Sequence, residues 1–261
     1  MLNHTFVICA YKESPYLEKC IQSIKKQHRP SEVILSTSTP SPFLTEMSRK
    51  YGLRLVVNEG EKGITQDWNF ALSLVKTKYA TIAHQDDVYS EQYTDYMIQF
   101  METKRRPLIG FSDYCEIHNG KIIRDTGMLR IKRLMLWPLK WKVFADNRFA
   151  RRRILSMGCP ICCPSVCYNL ELIERPVFQN RYLSNEDWEA WEIISKAKGT
   201  FVYVSRILVA HRIHADSTTT EALKDDTRMK ECEEMFCKFW PKPIAKLINK
   251  WYSRAEQYNK V

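Results

Sequence analysis

The sequence predicts an α/β fold: a doubly wound, mostly parallel sheet with helices on both faces, followed by a C-terminal helical extension. Two observations predict it. Through the first 110 residues, short apolar runs that fit buried strands alternate with amphipathic helical patterns. From Glu221 onward only the helical pattern remains, interrupted at Pro241 and Pro243. A chain of 261 residues is long enough for one such domain with a full core and a small appendage.

The elements of the first half follow from apolar spacing and capping residues. The predicted strands are the apolar runs His4–Ala10, Glu32–Leu35, Leu53–Val57 and Tyr79–Ala83. The predicted helices begin at Pro15, at Ser41 and Pro42, at Thr65 and at Ser90, and Gly52 ends the second. Because such sheets bind ligands beyond the carboxyl ends of their strands, we expect the site in the loops that follow these strands.

The alternation changes after a further predicted strand at Leu108–Phe111. Asn119 and Gly120 form a dipeptide typical of a tight hairpin turn, between the short runs 116–118 and 121–123. A basic, Trp-rich segment and a Cys-rich segment come next. A helix at about 185–198 and a strand at Phe201–Ala210 complete the predicted domain.

Composition indicates a soluble globular protein, with 44% hydrophobic and 27% charged residues. No secretory signal pattern opens the sequence. The longest uncharged stretch, between Arg153 and Glu171, is interrupted by Gly158, Pro160 and Pro164, so we expect no membrane-spanning helix. These features predict a cytoplasmic location.

Nine cysteines, an odd number, are scattered along the chain, which favours reduced thiols. Cys159, Cys162, Cys163 and Cys167 lie close together in sequence. Their spacing matches no familiar zinc or iron–sulfur pattern, and the intervening prolines indicate a bend. We therefore favour a buried apolar segment over a metal site.

Most of the net charge of +10 lies in Lys121–Arg153, which has eleven Lys or Arg residues and two Asp residues, a net charge of +9. Basic residues interleaved with Trp137, Trp141 and several leucines suit the headgroup region of an anionic membrane. Pro138 argues against one continuous helix here. The alternatives are that the tryptophans pack in the core while the charges solvate a loop, or that the segment binds nucleic acid. Folds that read nucleic acid do not explain the acidic loops described next.

The predicted strand Tyr79–Ala83 ends abruptly in His84, Gln85, Asp86 and Asp87. Adjacent carboxylates repel each other, and a divalent cation relieves the repulsion. Hard oxygen ligands suit Mg²⁺ or Mn²⁺, and either ion can bridge to phosphate oxygens. The alternative is a solvated turn, because Asp is common after strands.

Two further polar groups lie at element ends. His211, Arg212 and His214 follow the last strand, where imidazoles can bind a metal and a guanidinium can bind a diphosphate. Glu186 and Asp187 open a helix, where one of them can act as a general base. The alternatives are a polar loop with unrelated histidines and, for the helix, a capping box made by Ser184 and Asp187.

Five motifs together resemble glycosyltransferase family 2, inverting enzymes with the GT-A fold, and are most similar to bacterial rhamnosyltransferase-like members. In chain order they are Phe6–Glu13 (FVICAYKE), Gly63–Asn69 (GITQDWN), Ala83–Tyr89 (AHQDDVY), Asn185–Trp188 (NEDW) and His211–His214 (HRIH). The resemblance covers about residues 6–218. It implies a GT-A domain at 1–218, with a nucleotide-sugar-binding half at 1–113 and an acceptor-binding half at 114–218, and a helical extension at 219–261.

The resemblance also implies roles for individual residues. Asp187 is expected to be the catalytic base, with Glu186 beside it. The expected donor contacts are Ala10, Tyr11, Glu13, Ser36, Thr37, Asp67, Asn69, Gln85, Asp86, Trp188 and Arg212. The expected ligands of Mn²⁺ or Mg²⁺ are His84, Asp86, Asp87 and His214. The expected partners are a UDP- or dTDP-linked sugar, a glycan or lipid-linked acceptor, and the cytoplasmic membrane surface, with no nucleic acid.

Two positions depart from the family's pattern. His84 stands where the metal motif commonly begins with Asp, and Ser36–Ser38 stands where the family tends to carry an Asp after its second strand. For Trp188, stacking on a sugar and packing in the core both fit the sequence. The closest rival function is a nucleotidyltransferase, which can use a related sheet and an Asp pair but releases pyrophosphate.

Overall fold

The structure is a computed structural model that describes residues 2–213 and 227–258. Its strands are β1 His4–Ala10, β2 Glu32–Thr37, β3 Arg54–Val57, β4 Tyr79–His84, β5 Val88–Tyr89, β6 Pro107–His118, β7 Lys121–Ile123, β8 Val166–Asn169 and β9 Thr200–Ile213. Its helices are α1 Leu17–Lys25, α2 Pro42–Tyr51, α3 Ile64–Ser73, α4 Tyr93–Glu102, α5 Gly127–Leu136, α6 Lys142–Ala145, α7 Arg148–Leu155, α8 Glu186–Ser195, α9 Thr227–Cys237 and α10 Lys242–Tyr258.

All described strands belong to one sheet, in the order β3-β2-β1-β4-β8-β6-β9-β5, with β7 paired to β6. The first four are mutually parallel, as are β6 and β9. Strand β8 runs antiparallel to both of its neighbours, β4 and β6. The predicted α/β fold with a mostly parallel sheet and a C-terminal helical extension is therefore confirmed, and β8 joins its two parallel parts.

Local signals in the sequence set several element ends. The Ser41 side chain accepts a hydrogen bond from the backbone N–H of Leu44, and Gly52 ends α2 in the left-handed conformation at φ 60°. Asn119 and Gly120 also have positive φ, 47° and 79°, which is the geometry of a two-residue hairpin turn. The predicted hairpin between β6 and β7 is confirmed.

Four strands differ from the sequence prediction. The short strand β5 is not predicted, and β9 continues beyond Ala210 to Ile213, so His211 and Arg212 lie within the strand rather than after it. Strand β8 is not predicted, because it lies inside the apolar, Cys-rich segment and shows no alternation of its own. Strand β6 runs unbroken for 12 residues, whereas the sequence predicts two separate runs. Strands buried on both faces lose the polar–apolar alternation that marks their limits.

The core lies on both faces of the sheet. In β1, Val7 belongs to one apolar cluster, while Phe6 and Ile8 belong to the other. The C-terminal helices α9 and α10 pack on the first cluster through residues that include Phe236 and Ala245. Among the described residues, no helix is long and apolar enough to cross a bilayer.

Candidate active site

The turn after β4 presents two carboxylates in different surroundings. Asp87 is fully buried and accepts hydrogen bonds from the backbone N–H of Arg212 at 2.8 Å and from Nδ1 of His211 at 3.0 Å. Burial raises the pKa of Asp87, but His211 and the hydrogen bonds outweigh burial, so the pKa lies below its ordinary value. Asp87 is therefore an ionised group in the wall of the site that attaches β9 to the turn.

Asp86 lies half-buried at the mouth of the same turn. Its Oδ1 accepts a hydrogen bond from Ser14 Oγ at 2.6 Å, and its backbone carbonyl accepts one from Arg212 Nε at 2.9 Å. The Arg212 guanidinium lies 4.1 Å from the ring centre of Tyr16. Arg212 is thus held against both the turn and the loop after β1. Arg212 lies within β9 and not in a loop after it. His214, the other residue expected here, lies outside the described residues.

His84 lies beside the buried carboxylate of Asp87, with its Nδ1 3.9 Å from Asp87 Oδ2. Its ring stacks on Trp68 with centroids 5.2 Å apart, and its Nε2 is buried without a hydrogen-bond partner among the described residues. Burial lowers the pKa of His84, so the imidazole is neutral at pH 7. His84 therefore packs on Trp68 with one face of its ring and contacts the Asp87 carboxylate through Nδ1.

Within residues 2–213 and 227–258, no group of three or more His, Cys, Asp or Glu side chains is arranged to hold a metal ion. Mg²⁺ and similar ions are commonly bound by one or two carboxylates together with substrate phosphates, rather than by a complete protein cage. Asp86, a hard oxygen ligand at the mouth of the turn, fits that arrangement. Asp87 fits it less well because it is fully buried and both of its oxygens bind protein donors.

The loops after the first four strands are tied together. The Gln85 side chain accepts a hydrogen bond from the backbone N–H of Tyr11 and donates one to its carbonyl, at 3.2 and 3.0 Å. Asp67, in the first turn of α3, accepts from Ser38 Oγ at 2.6 Å and from Asn58 Nδ2 at 2.7 Å. The side chains of Asp67 and Gln85 therefore bind neighbouring loops of the protein. These contacts fix the conformation of the loops around the expected nucleoside pocket.

Other expected donor contacts are placed differently. Ala10, Ser36 and Thr37 are buried at the carboxyl ends of β1 and β2, while Glu13 is exposed. Asn69 points elsewhere: its side chain donates to the Phe178 carbonyl at 2.8 Å and accepts from the Phe178 N–H at 3.1 Å. This differs from the donor contact expected of Asn69. Its side-chain amide binds both the N–H and the carbonyl of Phe178, and so positions the loop that contains Phe178.

Glu186 and Asp187 form the second acidic part of the site, at the start of α8. Burial raises the pKa of Asp187, while the backbone N–H of Trp188, Arg228 and Lys132 pull it back in part. Burial raises the pKa of Glu186 to about 7. Both carboxylates are therefore more basic than in water, as a general base at neutral pH requires.

The capping box that is the alternative role of Asp187 does not form at this helix. Ser184 Oγ donates instead to Glu231 of α9 at 2.7 Å, and Glu231 also accepts the backbone N–H groups of Leu183 and Ser184. Asp187 Oδ1 accepts from the N–H of Trp188 at 2.6 Å. The alternative explanation of Asp187 as the partner of Ser184 in a capping box is therefore wrong.

Trp188 packs in the core. It is fully buried, its Nε1 donates to the Leu155 carbonyl at 3.0 Å, and its ring contacts Phe236 and Tyr252. Of the two interpretations of Trp188, the geometry favours core packing over stacking on a sugar.

Lys132 of α5 is a site residue that the sequence analysis does not single out. Its Nζ donates to the Tyr114 hydroxyl at 2.9 Å, and its charge lowers the pKa of both Asp187 and His211. Burial raises the pKa of the Cys162 thiol, and the negative charges of Asp87 and Asp187 both raise it further. The Tyr114 ring lies 6.3 Å from the ring of His211, the partner of Asp87, and Lys132 and Cys162 each lie within electrostatic range of both acidic parts of the site. Nothing in the sequence separates Lys132 from the ten other basic residues of its segment.

The basic segment Lys121–Arg153 folds as β7, α5, a 3₁₀ turn over Trp137–Lys140, α6 and most of α7. The break at Pro138 is confirmed. Trp137 and Trp141 are 51% and 43% exposed, so they are not core residues. Arg151 is buried, where it donates to the Ser195 carbonyl at 2.8 Å and to the Ala197 and Gly199 carbonyls. Part of the charge therefore stabilises the fold, and part is available at the surface.

Solved structures with the same fold have low sequence identity to this chain. The structure of residues 1–349 of TarS from S. aureus is 14% identical, with a TM-score of 0.63 over 95% of this chain and 69% of that chain. Its complex with UDP-GlcNAc gives the same identity and TM-score, over 95% and 70%. The mannosyltransferase PcManGT from Pyrobaculum calidifontis, in complex with GDP-Man and Mn²⁺, is 13% identical, with a TM-score of 0.63 over 96% and 69%.

No curated protein matches the chain in sequence. The family model described as glycosyl transferase family 2 matches residues 5–170, more than half of the chain. That range includes the strands β1–β4, the Asp86–Asp87 turn and the Cys-rich loop beside the second acidic part. The fold is the GT-A fold, and the chain belongs to glycosyltransferase family 2.

Proposed function

We propose that the protein is an inverting glycosyltransferase that moves a sugar from a nucleotide diphosphate to an acceptor hydroxyl. One observation supports the proposal: Lys132 and Cys162 lie within electrostatic range of both the carboxylate turn at the end of β4 and the two carboxylates with raised pKa at the start of α8. The first suits the leaving diphosphate, and the second suits the attacking hydroxyl. The ligands named for TarS and PcManGT, UDP-GlcNAc and GDP-Man, support a nucleotide-sugar donor.

Asp187 would take the proton from the acceptor hydroxyl as its oxygen attacks the anomeric carbon from the face opposite the leaving group. Arg212, fixed on the Asp86 carbonyl and on Tyr16, would bind the diphosphate. Asp86, assisted by His214, would hold a divalent ion, which supplies positive charge to the departing phosphate oxygens. Asp87 would keep the turn and β9 in register, and Gln85 would hold the backbone of Tyr11 at the nucleoside.

The metal assignment is tested with Asp86→Ala and a control, Asp95→Ala, in which an exposed carboxylate of α4 is removed. Mn²⁺ is titrated into each protein with a nucleotide-sugar donor present, and slow donor hydrolysis is measured. We expect the Asp86 variant to lose the metal response and the control to keep it. An equal response in both would exclude Asp86 as the metal ligand.

The base is tested with Asp187→Asn. We expect turnover to fall by at least about two orders of magnitude, as loss of a positioned base does, with little change in donor affinity. A variant that binds donor poorly but keeps its rate at saturation would make Asp187 a binding residue and Glu186 the better base.

The donor sugar we propose is a hexose or deoxyhexose linked to UDP or dTDP, since the Ala83–Tyr89 motif resembles rhamnosyltransferase-like members. A nucleotidyltransferase is the alternative function. It would release pyrophosphate, whereas a glycosyltransferase releases a nucleoside diphosphate. Screening a panel of nucleotide sugars and identifying the product therefore separates the two functions.

We also propose a glycan or lipid-linked acceptor at the cytoplasmic face of the membrane, in bacterial cell-surface polysaccharide synthesis. The support is the exposed surface of α5–α7, where Trp137, Trp141 and Phe149 lie among exposed Lys and Arg residues. Residues 114–218 would bind the acceptor and residues 1–113 the donor. Co-sedimentation with neutral and anionic liposomes tests the membrane contact, and binding that ignores lipid charge and salt would favour a soluble acceptor.

A further inference from the structure

Helix α10 has an outward face that the proposed reaction does not use. Ile244, Leu247 and Trp251 follow one another at spacings of three and four residues, which aligns them along one side of a helix. They are 44%, 59% and 67% exposed. A soluble surface rarely presents such large apolar side chains in a row without a partner.

The opposite side of α10 is firmly packed. Ala245 is fully buried, Asn249 Nδ2 donates to the Met229 carbonyl at 2.9 Å, and Tyr252 packs against Trp188 and Phe236. A Cβ atom on Gly158 would meet the Tyr252 ring at 2.6 Å, so the loop after α7 also lies against this helix. The outward stripe is therefore held in a fixed orientation by the rest of the protein.

Charge indicates what the stripe contacts. Lys242, Lys246 and Lys250 are exposed beside it, and residues 242–253 contain no Asp or Glu. Lys242 also lines a groove with Glu233 and Glu234 of α9, so Lys246 and Lys250 form the basic border of the stripe. Apolar side chains, among them a Trp, that are bordered by lysines complement the headgroup region of an anionic bilayer. A protein partner would instead need a matching apolar patch, and acidic groups opposite the lysines would help to specify it.

The residues that lead into α10 also pack against α7. The Arg153 guanidinium lies 5.1 Å from the ring centre of Phe149 and 4.4 Å from that of Trp240, which leads into α10. Trp240 Nε1 donates to the Ser156 carbonyl at 2.9 Å. The apolar and basic groups of α7 and α10 therefore belong to adjacent, mutually braced elements.

We propose that α10 lies flat on an anionic lipid surface, with Ile244, Leu247 and Trp251 inserted at the headgroup boundary. This proposal rests on the proposed function and adds an orientation at the membrane to it. Tyr252, on the inner side of α10, packs on Trp188, next to the proposed base Asp187. The helix that contacts lipid thus supports the helix start that would meet a lipid-linked hydroxyl.

The test uses the full chain and sedimentation with vesicles of phosphatidylcholine, alone or mixed with phosphatidylglycerol, at low and high salt. Three variants are compared with wild type: Leu247→Glu with Trp251→Glu, Lys246→Gln with Lys250→Gln, and the control Leu2→Glu. Leu2 is 50% exposed and precedes β1, at the amino ends of the parallel strands and away from the site. The surface of α5–α7 is intact in all of them.

We expect wild type and Leu2→Glu to bind anionic vesicles equally. The lysine pair should lose about fivefold in affinity for each charge removed. The Leu247 and Trp251 pair should lose more than about tenfold, because a carboxylate replaces each inserted side chain. The lysine variants change only exposed groups, so they keep the test valid if the glutamate pair disturbs folding.

Three results would overturn the proposal: binding by wild type that ignores lipid charge, binding by both pairs equal to wild type, or a wild-type dimer that the glutamate pair converts to a monomer with vesicle binding unchanged. The last would make the stripe an interface between copies of the chain. Donor hydrolysis without vesicles is measured in parallel. Absence of donor hydrolysis in wild type would contradict the proposed function. Variants that keep wild-type hydrolysis but lose vesicle binding would support the lipid contact independently of the reaction.

Discussion

Replacing Glu186 with Gln should raise the free energy of unfolding above pH 7 while lowering transfer. Glu186 is 6% exposed, and burial raises its pKa from 4.5 to about 7. Below pH 4.5 the carboxyl is protonated in both the folded and the unfolded chain, so its ionisation does not change the free energy of unfolding. As pH rises from 4.5 to about 7, the unfolded chain ionises first, and this favours unfolding.

The size of the effect follows from those two values. A rise from 4.5 to about 7, at 1.36 kcal/mol for each pH unit, amounts to roughly 3 kcal/mol of stability lost above pH 7. Gln has nearly the same shape and no charge to desolvate, so it should recover most of that energy. A buried carboxylate that destabilises the fold is what a site residue retained for chemistry would show.

The assay is urea unfolding of wild type and Glu186→Gln at pH 5 and pH 8. We expect a small difference at pH 5 and a gain of roughly 3 kcal/mol for the variant at pH 8. Glu189→Gln is the matched control on the same helix. Its carboxylate pairs with Lys238, so this variant should lose stability. A Glu186 variant with no gain at pH 8 would refute the argument, because the carboxyl would then ionise as readily in the folded chain as in water.

Three further variants test other parts of the site. Asp87→Ala should lower the free energy of unfolding by about 3 kcal/mol in urea titrations, since it leaves the His211 ring without its buried partner; an unchanged midpoint would contradict the role of Asp87 in the wall. Lys132→Met should move the acid limb of the pH–rate profile to higher pH, because Lys132 lowers the pKa of Asp187; a fixed limb would separate the two groups. Arg151→Met should lower the free energy of unfolding by about 3 kcal/mol in thermal unfolding, because three carbonyls lose their donor. An equal loss of stability in Arg148→Met, which removes an exposed neighbouring charge, would indicate a general charge effect.

The polar turn after β4 could be predicted from the sequence because it is a local event. An apolar run that ends at His84 and is soon followed by two Asp residues marks the end of a strand. The carboxyl ends of the strands in a parallel sheet meet at one edge. The start of α8 was predictable for the same reason. Each signal lies within a few residues of the group that it describes.

The rest of the site depends on contacts between distant segments. Asn69 pairs with Phe178, 109 residues away, and Lys132 reaches the site only because α5 folds over β6 at Tyr114. Trp188 follows the predicted base directly, but a helix turns about 100° per residue, so a neighbour in sequence faces a different surface. Strand β8 has the composition of a buried loop, and only its pairing with β4 and β6 defines it.

The C-terminal extension is the least informative part of the sequence and one of the most important for the site. Glu231 of α9 accepts three hydrogen bonds from Leu183 and Ser184, and so holds the loop that leads into α8. Tyr252 of α10 packs on Trp188 and so fixes the first turn of the same helix. A general base must be held within a few tenths of an ångström of its proton to contribute fully. Residues beyond the matched range 5–170 therefore orient the carboxylates on which the proposed chemistry depends, and a fragment limited to that range would lack both the carboxylates and their supports.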